Sequence, residues 1–552
     1  MVLYEPAKGL SRKESTGPLE SSACVMGRRS VIWGGLTGLL VTAPLATIFY
    51  AGHTLAGLSF VPFSIFDWTT RMLPGRIVTL GIDAMVRIIT GLGLGGTSAT
   101  AKAAEQAMAV GGFLAGGIVL GAILFAILGD RRSLALVICT LAGSVAGVGA
   151  LQIDRSINST AVKPARDALW VIALFALWGA TVGWSYRHMI GSRTASVEIL
   201  DRRRFAVQLA GMAAVVTVVG AALGRSVRRG EPSAVTGKTF WSTTHPFPNA
   251  DASVKPVPGT RPELTPVPDH YRIDINTVPP VVAEESWRLK IRGLVQQPLA
   301  LTLEKLRQYE PSDQFITLSC ISNLVGGDLI GTTRWTGVSL KRLLPQLKLL
   351  PNATHLKISS ADGFYEVVAI ESINSDDRLM LAYAWDGVPL TAAHGFPLRI
   401  YIPDRYGMKQ PKWIESIEAI DHWEPGYWVV RDWDREARMK ATSVIDTIGV
   451  NMMIGHPGAG ARLPIGGIAH AGVRGISKVE VRVDNGEWDA AQLRTPLSGQ
   501  TWVIWRYDWP FQKGKHTFAV RCFDGTGAPQ IVEEAPPHPS GATGLHVRSA
   551  ML

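Results

Sequence analysis

The chain has 552 residues, of which 47% are hydrophobic and 18% charged, with a net charge of +10. That length exceeds what one core holds, and the charged share lies below the about 25% usual for soluble domains. Cys24, Cys139, Cys320 and Cys522 show no CxxC and no paired spacing, which excludes a disulfide framework and a thiolate zinc site. There are no repeats and no basic–aromatic interleaving, so the positive charge makes no case for nucleic acid.

Residues 1–29 read as a cytoplasmic tail carrying Arg12, Lys13, Arg28 and Arg29. Residues 30–230 read as an α-helical membrane anchor of about five spans. One lies within 30–66, a stretch without Lys, Arg, Asp or Glu; the others lie near 107–129, 134–153, 168–186 and 205–224. Between the first two, Asp67, Arg71, Arg76, Asp83 and Arg87 interrupt the apolar positions, as in an amphipathic interfacial helix. A sixth span near 77–95 is the alternative, and it would reverse the downstream topology. With five spans, the N-terminal tail, "GDRRS", and the loop with Arg187, Arg193, Arg202, Arg203 and Arg204 share the cytoplasmic side. The fifth helix then runs outward, although "GRSVRRG" after it counts the other way.

Residues 231–267, rich in Pro, Ser and Thr, form a linker. Residues 268–437 mix strand-like runs such as "WRLKIRGLV" and "PLRIYIP" with short helical ones such as "SLKRLLPQL". Within 438–540, "KVEVRVDNGEW", "TWVIWRYDW" and "KHTFAVRCFDGTG" alternate between turn signals, the pattern of a β-sandwich. Residues 541–552 are left as a tail.

Cys320 ends the strand-like run in "FITLSCISNLVGGD" and opens a polar, glycine-rich turn. A lone thiol is most often buried packing. A thiolate facing a cavity from a rigid strand end is also a good ligand for a metal in a high oxidation state.

Residues 268–535 resemble the catalytic portion of the sulfite oxidase family of molybdenum enzymes. "HYRIDINTVP", "TLSCISN", "TRWTGVSLKRLL" and "AYAWDGVPLTAAHGFPLRIYIPDRYGMKQPKWI" follow in the family's order and spacing. The resemblance implies an α+β molybdopterin-binding domain followed by an immunoglobulin-like β-sandwich. It makes Cys320 the molybdenum ligand within the Cys-x-x-Asn loop that ends at Asn323. It implies cofactor contacts from Tyr271, Arg272, Asp362, His394, Arg399, Gln410, Pro411 and Lys412, with Lys409 adding charge. Arg272 also aligns with the arginine that holds the anionic substrate, although a salt bridge is an equally plain role for it. Arg334 reads as structural.

Two departures bear on the substrate. Leu324 and Val325 follow Asn323 where relatives carry arginines, and Trp433 falls where relatives carry an active-site tyrosine, with Tyr427 as the candidate substitute. The first expectation is oxidation of sulfite to sulfate. Reduction of a sulfoxide or nitrate is one alternative, and a membrane-anchored binding module with a decayed site is the other. No haem or flavin motif is visible, so a separate cytochrome or quinone-linked carrier would take the electrons. His53 and His188 are too few to argue for haem. The resemblance also allows a homodimer through the sandwich. Arg202, Arg203 and Phe205 resemble a twin-arginine export signal, which suits a domain that folds around its cofactor before crossing. The expected place is the bacterial cytoplasmic membrane, with the catalytic domain outside.

Overall fold

The computed structural model describes residues 19–92, 97–157, 165–189, 198–226, 247–455 and 460–552. The described residues fall into two compact units. The first lies within Met1–Phe66, Met108–Arg155 and Lys163–Arg228, and the second within Asp67–Ala107, Ser156–Val162 and Arg229–Leu552.

The N-terminal helices are α1 (Leu19–Ala56), α2 (Val61–Met72), α3 (Gly75–Leu92), α4 (Thr97–Leu128), α5 (Ala135–Ile157), α6 (Ala165–Met189) and α7 (Glu198–Ser226). Five stretches, Ser30–Ala56, Thr97–Leu128, Arg132–Ile157, Ala165–Met189 and Arg204–Ala222, are long and apolar enough to cross a membrane. They coincide with the stretches expected from composition, and α3 is not among them. Within the first unit, helices approach through small residues. Gly38 meets Gly117, and Gly143 meets Gly179, with no room for a Cβ at either crossing.

Residues 67–107 depart from the expected division. They belong to the second unit, because their polar side chains bond the segment 271–277, as described below. In that unit the part before residue 438 contains β1 (Leu289–Gly293), β2 (Leu299–Leu301), α8 (Leu303–Arg307), β3 (Ser312–Ser319), β4 (Ile330–Ser339) and α9 (Leu340–Leu347). It continues with β5 (His355–Ser360), β6 (Tyr365–Ala369), α10 (Ile370–Ser375), β7 (Met380–Trp385), β8 (Val388–Pro389), β9 (Arg399–Tyr401) and β10 (Ile414–Ile420). One sheet runs β2-β1-β10-β5-β6; the other runs β3-β4-β7-β8, with β9 also on β7. Only β1 and β10 pair in parallel among these ladders. In β5 burial alternates with the period of two, so Leu356 and Ile358 enter the core. In α9, Leu340, Leu343, Leu344 and Leu347 make one apolar face, and Ser339 caps its N-terminus. Every residue of β7 is buried, as befits a strand with partners on both sides.

The C-terminal part holds β11 (Thr442–Ile448), β12 (Arg462–His470), β13 (Ile476–Val483), β14 (Trp488–Ala490), β15 (Gln492–Leu493), β16 (Val503–Pro510), β17 (Lys515–Asp524) and β18 (His546–Met551). Two four-stranded sheets, β11-β12-β16-β15 and β14-β13-β17-β18, share a core of Ile445, Leu463, Ile465, Val479, Val481, Trp505, Phe518 and Val520. The expected tail is therefore partly wrong: β18 pairs with β17 over its whole length. "HVRSAM" escaped notice because an edge strand buries little and shows no clean alternation. The described part of the linker is ordered against the sandwich, where Arg494 donates to the carbonyls of Ala252 (3.1 Å) and Val254 (2.9 Å). The sandwich in turn fastens to β3: Trp502 N donates to Thr317 Oγ1 (2.9 Å), and Thr317 N to Gln500 O (3.1 Å).

Candidate active site

Cys320 follows directly on β3, and its loop is tied shut. Cys320 N donates to Leu329 O (2.9 Å), and Leu329 N donates to Asn323 Oδ1 (2.9 Å). Gly326 takes φ +86 against the His546 ring, a conformation and a contact that suit glycine alone. Asn323 thus shapes the loop. The Cys320 thiol is buried and lies 2.9 Å from Ser322 Oγ. Burial pushes its pKa up, against hydrogen bonds from Ser322 and Ile321 and the charge of Lys412.

Two cations stand deep in the same region. Arg399, 7% exposed, donates to His394 O (3.1 Å) and lies 4.6 Å from the Trp335 ring centre. No carboxylate pairs with it among the described residues, and burial pulls it down to about 10. Lys412 donates to Ile273 O (3.0 Å) and lies 3.4 Å from Asp274 Oδ2; burial pulls it down to about 8. His394 packs 4.5 Å from Trp385 and 5.7 Å from His270, and burial holds it well below the usual histidine range. Tyr271 stacks on His270 at 5.3 Å, its phenol pushed up first by burial and then by the charge of Cys320.

Asp274 is the hub of this cluster. Arg272 Nε reaches its Oδ2 at 2.7 Å, and Lys102 Nζ from α4 reaches its Oδ1 at 3.0 Å. Desolvation opposes its ionisation, yet Lys102, Lys412 and Arg272 together hold it well below the carboxylate range. Asp362 differs: burial raises it to about 6, its Oδ1 accepts from Phe364 N (3.0 Å), and its carbonyl accepts from Arg71 (2.5 Å).

Tyr271, Arg272, Cys320, Asp362, His394, Arg399 and Lys412 are thus brought into one neighbourhood, as their mutual contacts and fields require. Other expected site residues are engaged elsewhere. Lys409 pairs with buried Glu366 at 2.7 Å, which neutralises the charge it was expected to add. The Gln410 side chain bonds the backbone of Ile402 (3.3 Å) and Arg405 (2.9 Å), and Pro411 O accepts from Ile400 (3.1 Å). Tyr427 has Phe364 at 5.4 Å and the Arg431 guanidinium 3.7 Å above its ring. Trp433 packs with Ile321 and Tyr406 behind the cysteine loop, its indole N–H buried without a partner. Arg334 lies 3.7 Å from Asp313 and 5.8 Å from the Phe315 ring centre.

Sequence reasoning missed three residues. Tyr406 is a phenol whose ionisation feels Cys320, raised to about 12 chiefly by burial; it stands beside the glycine of "RYGMK", where it drew no notice. Arg71 and Lys102 come from helices assigned to the membrane region, and nothing local in sequence joins them to the site.

The residues fit an anionic, hydrogen-bonding cofactor. Among the described residues buried His270 Nε2, Trp335 Nε1 and Trp385 Nε1 have no partner, and buried Arg399 has no carboxylate. Among the described residues no group of three or more His, Cys, Asp or Glu is placed to hold a metal ion. A metal here would arrive with most of its ligands and take one from Cys320.

Residues 275–428 match the family described as "Oxidoreductase molybdopterin binding domain". The chain is 27% identical over 322 residues to inducible nitrate reductase [NADH] 2 of Glycine max, covering 47% of this chain but only 36% of that protein. It is 27% identical over 288 residues to sulfite oxidase of Arabidopsis thaliana (44% of this chain, 72% of that protein). It is also 27% identical over 271 residues to mitochondrial sulfite oxidase of Mus musculus (41% and 50%). The crystal structure of the sulfane dehydrogenase SoxCD from Paracoccus pantotrophus overlaps 57% of this chain and 88% of its own, with TM-score 0.47 and 20% identity. Residues 275–428 thus form a molybdopterin-binding oxidoreductase domain similar to those of sulfite oxidases and nitrate reductases, and the chain spans only about a third of the nitrate reductase it matches.

Proposed function

We propose that the chain is a membrane-anchored enzyme that transfers an oxygen atom on a small oxyanion or sulfur compound, with sulfite oxidised to sulfate. The observation that carries this reading is the buried cation cluster beside Cys320, in which Arg399 has no carboxylate among the described residues. When bound, the cofactor supplies a two-electron redox centre at which oxygen is exchanged. Cys320 would be the protein's ligand to the metal, its sulfur lying 2.9 Å from Ser322 Oγ. Arg399 and Lys412 would hold the phosphate, and His394, Tyr271, Asp362, the acceptor Nε2 of His270 and the indole N–H groups of Trp335 and Trp385 would serve the pterin. Asp274 fixes Arg272 through Nε, and Arg272 holds the anionic substrate. Sulfite and water give sulfate, two protons and two electrons. The electrons pass to a separate cytochrome or quinone-linked carrier.

Leu324, Val325 and Trp433 remove an anion-binding charge and a phenol, which weighs against sulfite and motivates the reading of a module with a decayed site, beside the alternative of sulfoxide or nitrate reduction. Turnover of sulfite with ferricyanide supports the first reading. Turnover of nitrate or a sulfoxide with reduced viologen supports the reductase alternative. Bound pterin without either turnover makes the chain a binding module.

The same proposal places the protein in a bacterial cytoplasmic membrane with the catalytic unit outside. Ile77, Leu80, Ile88 and Leu92 lie exposed along α3, and a helix of this kind rests its apolar face in the bilayer interface. Export would use Arg202 and Arg203, whose side chains lie outside the described residues. The sandwich is read as immunoglobulin-like and as the contact of a two-fold dimer. Protease added to intact spheroplasts should cut the catalytic unit, and Arg202→Lys with Arg203→Lys should leave it inside and protected.

A further inference from the structure

The end of α2 and the first turns of α4 dock on the segment that leads into the molybdopterin-binding domain. Asp67 accepts from the backbone N–H of Thr277 (3.0 Å) and from its hydroxyl (2.5 Å). Thr97 N donates to Asp328 Oδ2 (2.8 Å), at the far end of the Cys320 loop. Ser98 Oγ donates to Arg272 O (2.6 Å) and accepts from Arg272 N (2.7 Å). Lys102 stands four residues on, over the same face of the helix. Its side chain is 8% exposed, and its Nζ lies 3.0 Å from Asp274 Oδ1. It also donates to the carbonyls of Asp274 (3.0 Å) and Asn276 (3.1 Å), and to Glu105 Oε2 (2.7 Å).

The opposite oxygen of Asp274 takes Arg272 Nε (2.7 Å) and Lys412 (3.4 Å), and Arg272 Nη2 makes a longer contact to Oδ1 (3.5 Å), where Lys102 is the nearer cation. One carboxylate with a fully buried side chain therefore holds three cations, two of which belong to the cofactor site. A carboxylate engaged on both oxygens has no freedom to rotate. Released on one side, it would draw Arg272 and Lys412 toward a new compromise.

We propose that Lys102 is a positioning residue of the cofactor site, acting through Asp274 to set Arg272 and Lys412 for an anionic ligand. The inference rests on the reading of those two cations as cofactor and substrate contacts. It adds to the catalytic machinery a residue that lies outside the molybdopterin-binding domain, on a helix long and apolar enough to cross a membrane. A purely structural lysine would instead fasten α4 equally with and without the cofactor.

The test uses the full chain in mild detergent, from cells that make molybdopterin and from cells that do not. Lys102→Met is made alone and with Glu105→Gln, so that no carboxylate is left unpaired. Lys102→Arg serves as the conservative replacement, and Asp274→Asn is made with and without Lys102→Met. Pterin per chain and its rate of loss are read from the fluorescence of the released, oxidised pterin. Melting is followed for loaded and cofactor-free protein. Lys102→Met/Glu105→Gln should lose pterin about tenfold faster, as expected for the loss of one hydrogen-bonded charge contact. It should also shrink the gap in melting temperature between loaded and free forms by more than half. Lys102→Arg should stay within about twofold of wild type, and in the Asp274→Asn background Lys102→Met should add nothing. Equal lowering of both melting temperatures, or unchanged pterin loss in a loaded protein, would overturn this inference alone. A wild-type chain without pterin would overturn the cofactor reading and this inference with it.

Discussion

Replacing Arg399 by methionine should stabilise the cofactor-free protein and abolish its loading. The residue is 7% exposed, and among the described residues its guanidinium has the His394 carbonyl and the Trp335 ring to set against its desolvation. Burial pulls its pKa from 12.5 to about 10, which corresponds to about 3 kcal/mol against keeping the charge. The hydrogen bond and the ring contact return about 1 kcal/mol each. Methionine keeps much of the side-chain volume and carries no charge, so the substitution should gain about 1 kcal/mol, or about 3 °C in melting temperature. Cofactor-free protein is melted by scanning calorimetry, and pterin is assayed on protein from cofactor-competent cells. Pterin should fall below detection in Arg399→Met. Retained pterin, or a cofactor-free melting temperature lowered by more than about 2 °C, would refute the assignment of Arg399 as a cation held for an absent anion.

Acid should weaken the sandwich through His546. Its Nδ1 accepts from Ile445 N (2.9 Å), which requires the neutral ring, and burial with Arg548 and Arg261 lowers it to about 4. A histidine depressed in this way lends stability that is whole above pH 6.5 and drains away as pH falls toward 4. Discounted for partial exposure this is about 2 kcal/mol, so wild type should lose that much more than His546→Gln between pH 7.5 and 4.5 in denaturant titrations. Lys409→Met strands Glu366 in the core and should cost about 3 kcal/mol, most of it recovered by adding Glu366→Gln; soluble double mutant should retain pterin. Leu343→Ala, at a fully buried position of α9, should cost about 3 kcal/mol by denaturant unfolding without changing pterin content in the folded fraction.

What could be read in advance followed periodicity and local motif. The sandwich strands, the leucine face of α9 and the loop after Cys320 each announce themselves within about ten residues, the range over which alternation and turn chemistry act. His394, Arg399 and Lys412 sit in one continuous block, so their neighbourhood was legible too. Lys409 was misjudged because its neutralising partner, Glu366, is 43 residues away in sequence, on β6. β18 was missed because an edge strand needs little apolar surface. Arg71 and Lys102 were invisible because their partners lie across the chain, and charges within an apolar helical region read first as membrane-flanking residues. Such long-range ion pairs leave no periodic trace.

The assignment of Cys320 as the protein ligand to molybdenum is tested most directly by X-ray absorption at the molybdenum edge, on loaded wild type and on Cys320→Ser. Wild type should contain molybdenum, and Cys320→Ser should show one fewer sulfur neighbour per metal, with pterin still bound through Arg399 and Lys412. An identical sulfur shell in the two proteins, or wild-type protein devoid of molybdenum from cells that make the cofactor, would contradict the assignment.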